Sequence, residues 1–123
     1  MSVILDTNFI LTCVKQRIDI FSQLRDLVGD KILVPAGVIA ELSRLGKDKK
    51  LKISEREAAD LALQLLDGEK IILLDLTGKV DDSIVKYVLK HDCYVASLDR
   101  GIKARLKNAK FLTIRQEKRV SWD

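Results

Sequence analysis

The chain has 123 residues and a mass of 13.9 kDa; 47% of its residues are hydrophobic and 33% charged, and 22 Lys and Arg against 18 Asp and Glu give a net charge of +4. That composition excludes disordered and low-complexity classes, and the length suits one buried core rather than two catalytic domains, so residues 1–123 are expected to form a single domain. The longest uncharged stretch, nine residues from Ile32 to Ala40, contains Pro35 and falls far short of the ~20 that span a bilayer, which excludes a membrane anchor of that kind.

In chain order, the first apolar run, residues 3–5, reads as a short strand. Residues 18–28 place Phe21, Leu24, Leu27 and Val28 at helical spacing and stop at Gly29, a good helix-ending residue. A strand follows at 32–34, then a helix whose stripe is Val38, Ile39, Leu42 and Leu45, and a polar, basic loop at 46–52. Ser54 with Glu57 three residues on reads as a capping box ahead of Leu61, Ala62, Leu65 and Leu66. A strand at 71–74, a helix at 80–89, a strand at 94–96, a helix carrying Ile102, Leu106 and Ala109 on one face, and a strand at 111–114 complete the pattern. Five short apolar strands alternating with helices predict an α/β fold, a mostly parallel five-stranded sheet covered by helices on both faces.

The opening Met-Ser-Val-Ile-Leu-Asp lacks the basic segment of a secretory signal, so a cytoplasmic location is expected. Cys13 and Cys93 lie far apart and follow no zinc-ligand spacing, which makes them reduced packing thiols. His91, a lone histidine at a helix end, reads as a surface capping residue.

Ligands of open parallel sheets bind outside the carboxyl ends of the strands. Asp6 directly follows the first strand and Asp99 the fourth. On the helix at 80–89, Val80, Ile84, Val85 and Val88 define an apolar face; at about 100° per residue Asp81 falls within it and Asp82 outside. A carboxylate on a core-facing stripe is costly without compensation, so Asp81 is the anomalous member of the pair, whereas Asp82 suits a solvated first turn. Glu41 sits at the border of its helix's stripe, near the same edge. Taken singly, each acid also reads as a turn residue, an N-cap or a rim charge. Together, Asp6, Glu41, Asp81 and Asp99 would concentrate negative charge that a divalent cation relieves, and an all-carboxylate set suits Mg²⁺ or Mn²⁺. Thr7, Asn8 and Ser97 stand beside these acids as hydrogen-bond donors.

Asp6-Thr7-Asn8, then Val34-Pro35 with Val38-Ile39-Ala40-Glu41-Leu42, then Asp81-Asp82-Ser83-Ile84, and finally Ser97-Leu98-Asp99-Arg100 together resemble the four motifs of the PIN-domain ribonucleases. The resemblance covers nearly the whole chain. It implies a three-layer α/β/α sandwich and a Mg²⁺- or Mn²⁺-dependent endoribonuclease whose catalytic and metal-binding acids are Asp6, Glu41, Asp81 and Asp99, supported by Thr7, Asn8, Ser97 and Asp82. Leu98 departs from the Asn or Arg that many members carry there. Small stand-alone members are commonly VapC-type toxins, dimeric and paired with a small antitoxin protein. A second branch processes ribosomal RNA, and Asp81 to Val85 with His91 to Ala96 is similar to it as well.

Between Arg100 and Arg119 there are eight Lys and Arg and one acid, so this segment carries +7 and the rest of the chain −3. A second basic cluster, Arg44, Lys47, Lys49, Lys50 and Lys52, follows Glu41, so both basic segments flank candidate acids; Arg100, Lys103, Arg105 and Lys107, with Lys49 and Lys50, are the expected RNA contacts beside them. A solvated lysine-rich face or an antitoxin-docking face is the competing reading of these charges. Few aromatic residues are available to stack bases, and Trp122 is expected to pack on a neighbouring subunit. Two rivals from other classes are a receiver-like signalling domain, which would leave Asp81 unexplained, and a non-catalytic RNA-binding domain, which would have no reason to hold four acids where a polyanion binds.

Overall fold

A computed structural model describes residues 1–116 and 118–123. Its elements are β1 (Ser2–Leu5), α1 (Thr7–Lys15), α2 (Ile20–Val28), β2 (Ile32–Pro35), α3 (Ala36–Lys47), α4 (Ile53–Asp67), β3 (Ile72–Leu74), α5 (Val80–Lys90), β4 (Cys93–Ala96), α6 (Arg100–Arg105), β5 (Phe111–Arg115) and β6 (Arg119–Trp122). The strands form one sheet in the order β3-β2-β1-β4-β5-β6. The first five run parallel and β6 is antiparallel to β5.

Alternation along each strand explains why the apolar runs are unbroken. Val3 and Leu5 of β1 and Ile32 and Val34 of β2 enter one core with α1, α2, α3 and α4, whereas Ile4 and Leu33 enter a second core with α5 and α6. Successive residues of a strand point to opposite faces, so a sheet covered on both sides needs every residue apolar. The result is the three-layer α/β/α arrangement. The strand order reverses at β1, whose neighbours β2 and β4 lie on opposite sides, and such a switch point opens a crevice at the carboxyl ends of the two central strands.

Several local expectations are corrected. The sheet has six strands rather than five: Arg119–Trp122 pairs with β5, buries Val120, and is pinned to α2 where the Val120 N–H donates to Gln23 Oε1 at 2.7 Å. Thr7–Lys15 forms a helix that no amphipathic stripe announces, because Phe9, Ile10, Leu11, Cys13 and Val14 are all buried. Helix α4 starts at Ile53, its N-cap is Lys52, and no side chain caps it, so the Ser54 capping box does not form. Its buried face is Ala58, Ala59, Ala62 and Leu66, while Leu61 and Leu65 are exposed; small residues allow the close α3–α4 approach at Gly46, which faces the Asp60 side chain. Helix α3 continues to Lys47, which shortens the basic loop, and α6 stops at Arg105, so Ala109 lies beyond it. Trp122 packs edge-on against Tyr94 of the same chain, with ring centroids 4.8 Å apart.

Both cysteines are free and buried, and burial pushes the Cys13 thiol up to about 12, leaving a packing group with no thiolate at neutral pH. Among the described residues no helix is long and apolar enough to cross a membrane.

Candidate acidic cleft

Asp6 leaves β1 in an extended conformation and caps α1: its Oδ1 accepts the Thr7 N–H at 2.9 Å. The Asp6 N–H donates to the Ala96 carbonyl at 3.0 Å, tying the ends of β1 and β4 together. Across that junction the fully buried Ser97 hydroxyl donates to Asp6 Oδ2 at 3.0 Å and accepts the Asp99 N–H at 3.1 Å. Asp99 in turn caps α6, its Oδ1 accepting from Gly101 at 2.6 Å and Ile102 at 3.2 Å. One hydroxyl thereby fixes the relative position of two acids that sequence separates by more than ninety residues.

Asp6 is buried, and burial raises its carboxyl above the ordinary range. The negative charges of Asp99 and Glu41 push the same way, against the bonds from Ser97 and Thr7. Glu41, on α3, lines the same cleft, as does Asp81, at the start of α5. The cleft is open and about 560 Å³ in volume. Two glycines shape its wall: a Cβ on Gly37 would sit 3.1 Å from Val80 Cγ2, and Gly78 takes a φ of +87 just before α5.

The helical-wheel reading of α5 needs correction. Asp81 is exposed rather than core-facing, because the buried face of α5 is Ser83, Ile84 and Val85. Asp81 nevertheless is the acid of the pair that lines the cleft. Asp82 turns away to Arg105 at 2.7 Å, and the guanidinium holds its carboxyl below the usual range.

Thr7 and Asn8 also line the cleft. Thr7 Oγ1 is buried there without a hydrogen-bond partner among the described residues, a polar group that calls for a ligand or water. None of the six basic residues expected to contact RNA lines it. Arg105 is paired with Asp82, Lys103 with Asp123, and Lys107 lines a cavity at the opposite ends of the strands; Lys49 and Lys50 are exposed in the turn after α3, and Arg100 is exposed at the start of α6. The cations on the cleft are Arg44, one turn beyond Glu41, and Lys79, just before α5. Arg44 was legible in sequence from its spacing to Glu41; Lys79 carried no signal beyond preceding a helix.

The larger cavity, about 650 Å³, lies around Met1, Leu89, His91 and Cys93, with His91 stacked on Tyr87 at 4.3 Å. It brings in a single carboxylate, Asp92, so volume and chemistry point to different places, and the chemistry lies in the smaller cleft.

Among the described residues no three His, Cys, Asp or Glu side chains form a group that holds a metal ion as they stand. The donor set nonetheless fits a hard divalent cation in kind: every candidate ligand is a carboxylate, and Asp6 is a buried acid whose ionisation a cation would favour. Glu41, half-buried, and Asp81, exposed, would close on an ion by side-chain rotation.

Residues 3–119 match the family described as PIN like domain. Over 111 residues the chain is 37% identical to the rRNA-processing protein fcf1 of Schizosaccharomyces pombe, an alignment covering 85% of this chain and 53% of that protein, so the chain spans about half the length of that relative. It is 29% identical over 122 residues to Ribonuclease VapC4 of Methanocaldococcus jannaschii, covering 94% of this chain and 92% of that one. The solved structure of the PIN domain endonuclease Utp24 superposes with a TM-score of 0.80 at 28% identity, covering 99% of this chain and 90% of that chain. The family match across almost the whole chain, on a fold whose switch-point cleft gathers the four acids, establishes that the chain belongs to the PIN-like domain family.

Proposed function

We propose that the chain is a divalent-metal-dependent endoribonuclease acting on RNA phosphodiester bonds at the acidic cleft. The observation that carries this is the Ser97 hydroxyl bridging Asp6 and Asp99 at the switch point, in a cleft that Glu41 and Asp81 also line. Asp6, Asp99, Glu41 and Asp81 would hold Mg²⁺ or Mn²⁺. A cation bound there supplies Lewis acidity at phosphorus and lowers the pKa of water. Ser97 locks the Asp6 carboxylate in one orientation and anchors the turn that carries Asp99. Thr7, whose buried hydroxyl has no hydrogen-bond partner among the described residues, and Asn8 donate to a phosphate oxygen.

The biological setting proposed first is that of a VapC-type toxin, cytoplasmic, acting as a homodimer with a small antitoxin; the alignment over 92% of VapC4 supports it. The second is ribosomal RNA processing, supported by the 37% identity to fcf1 and the likeness to Utp24. Both use the same cleft. Growth arrest on expression, relieved by a neighbouring small protein, selects the first; accumulation of uncut precursor rRNA on depletion selects the second.

The test of the activity is incubation of a short labelled RNA with the chain in Mg²⁺ or Mn²⁺. Internal cuts that EDTA abolishes support the reading, and cutting that persists in EDTA sinks it.

A further inference from the structure

Four carboxylates would repel the polyanion they are meant to cut, and only part of that charge is removed by one divalent cation. The structure supplies compensating charge from one member of the basic cluster after Glu41, Arg44, and from Lys79, which lies outside both basic segments. Arg44 is on α3 one turn past Glu41, and Lys79 is at the entrance to α5, so the two cations border the cleft from different elements. Among the described residues neither forms an ion pair, although both share a cavity with four acids. Three of the eight C-terminal cations are engaged elsewhere: Arg105 with Asp82, Lys103 with Asp123, and Arg115 with Ser121 and the Trp122 carbonyl.

We infer that Arg44 and Lys79 form a phosphate clamp that seats the RNA backbone beside the acids, with the C-terminal basic segment outside the binding track. This rests on the endoribonuclease reading above and specifies how that site admits its substrate. Arg44 offers a planar fork of donors that engages two oxygens of one phosphate, while Lys79 acts as a point charge beside the first turn of α5, which no side chain caps. The clamp holds the strand by its phosphates and therefore carries no base preference.

The experiment measures binding of a short fluorescein-labelled single-stranded RNA by anisotropy over a range of salt concentrations, in EDTA so that no strand is cut, and compares Arg44→Ala, Lys79→Ala, Arg44→Lys and, as controls, Lys103→Ala and Lys107→Ala. Each phosphate contact removed from a single strand lowers the salt slope by about 0.7, which at 0.1 M salt weakens binding roughly fivefold. Arg44→Ala and Lys79→Ala are each expected to show that loss, Arg44→Lys to recover most of it, and the two controls to leave slope and affinity unchanged. Circular dichroism confirms that each variant is folded. Unaltered slopes in Arg44→Ala and Lys79→Ala, or equal losses in the two controls, overturn the clamp while leaving the nuclease reading intact. A parent chain that neither binds nor cuts RNA overturns both.

Discussion

Ser97 Oγ stands 3.0 Å from Asp6 Oδ2, a contact that joins the ends of β1 and β4 across 91 positions of sequence. Because the same hydroxyl accepts the Asp99 N–H, replacing it leaves a buried carboxylate oxygen and a backbone donor without partners. Ser97→Ala is therefore expected to destabilise the fold by about 1–3 kcal/mol, read from urea unfolding, and to slow RNA cleavage by about 10- to 100-fold, as loss of a group that orients a ligand does. Unchanged stability with full activity would show that the bridge positions neither acid.

Asp6 sets a trade between stability and function. Burial, with Asp99 and Glu41 nearby, raises its carboxyl above the ordinary value of 3.8, so the folded state holds that proton more tightly than the unfolded chain. Stability from this group is greatest below 3.8 and is lost as pH rises from there through the folded-state value. Asp6→Asn removes that loss. In metal-free buffer, the stability of the variant relative to the parent is expected to increase as pH is raised across this window; in Mg²⁺ or Mn²⁺, its cleavage rate falls by about a hundredfold. A stability difference independent of pH contradicts the burial account.

Asp81 and Asp82 are adjacent yet belong to different surroundings. Asp81 lines the cleft, whereas Asp82 is bonded to Arg105. Asp81→Asn is expected to depress cleavage at least tenfold, roughly the loss that follows removal of a group supporting a metal, with little change in melting temperature. Asp82→Asn loses a solvent-screened ion pair and should leave cleavage near the parent rate. A greater loss of cleavage from Asp82→Asn reverses the assignment.

Fold and site differed in how far they could be read from the sequence. The central strands were legible because burial on both faces demands unbroken apolar runs such as Ile32 to Val34, and Asp6 and Asp99 because one follows such a run directly and the other stands just past the end of one. Helix α1 was hidden by its own burial, since a helix covered almost all round has no polar stripe to mark its period. Strand β6 buries only Val120, too weak a pattern to register. Of the cations on the cleft, Arg44 was legible as part of the basic cluster after Glu41 on the same helix, whereas Lys79 meets the acids only through the packing of α5 beside the cleft, which a count of charge along the chain does not reveal.

The unannounced strand has its own check. Val120 is buried and its N–H is bonded to Gln23, so Val120→Ala should cost about 2 kcal/mol in unfolding free energy, from two buried methyl groups and the cavity left behind. A loss below a few tenths would mean that β6 contributes little to the fold.

A cation held by the folded cleft and absent from the unfolded chain must stabilise the fold. Mn²⁺ at 100 times its dissociation constant is expected to add about 2.7 kcal/mol to the parent, measured by calorimetry, and to add little to Asp6→Asn. An equal gain in both proteins would place the cation elsewhere.

The most direct measurement is anomalous diffraction from crystals of the chain soaked in Mn²⁺. The account predicts a peak within coordinating distance of Asp6 and Asp99, with Glu41 or Asp81 turned toward it, and no such peak in Asp6→Asn crystals. A cleft without manganese while the ion binds at another surface would contradict it.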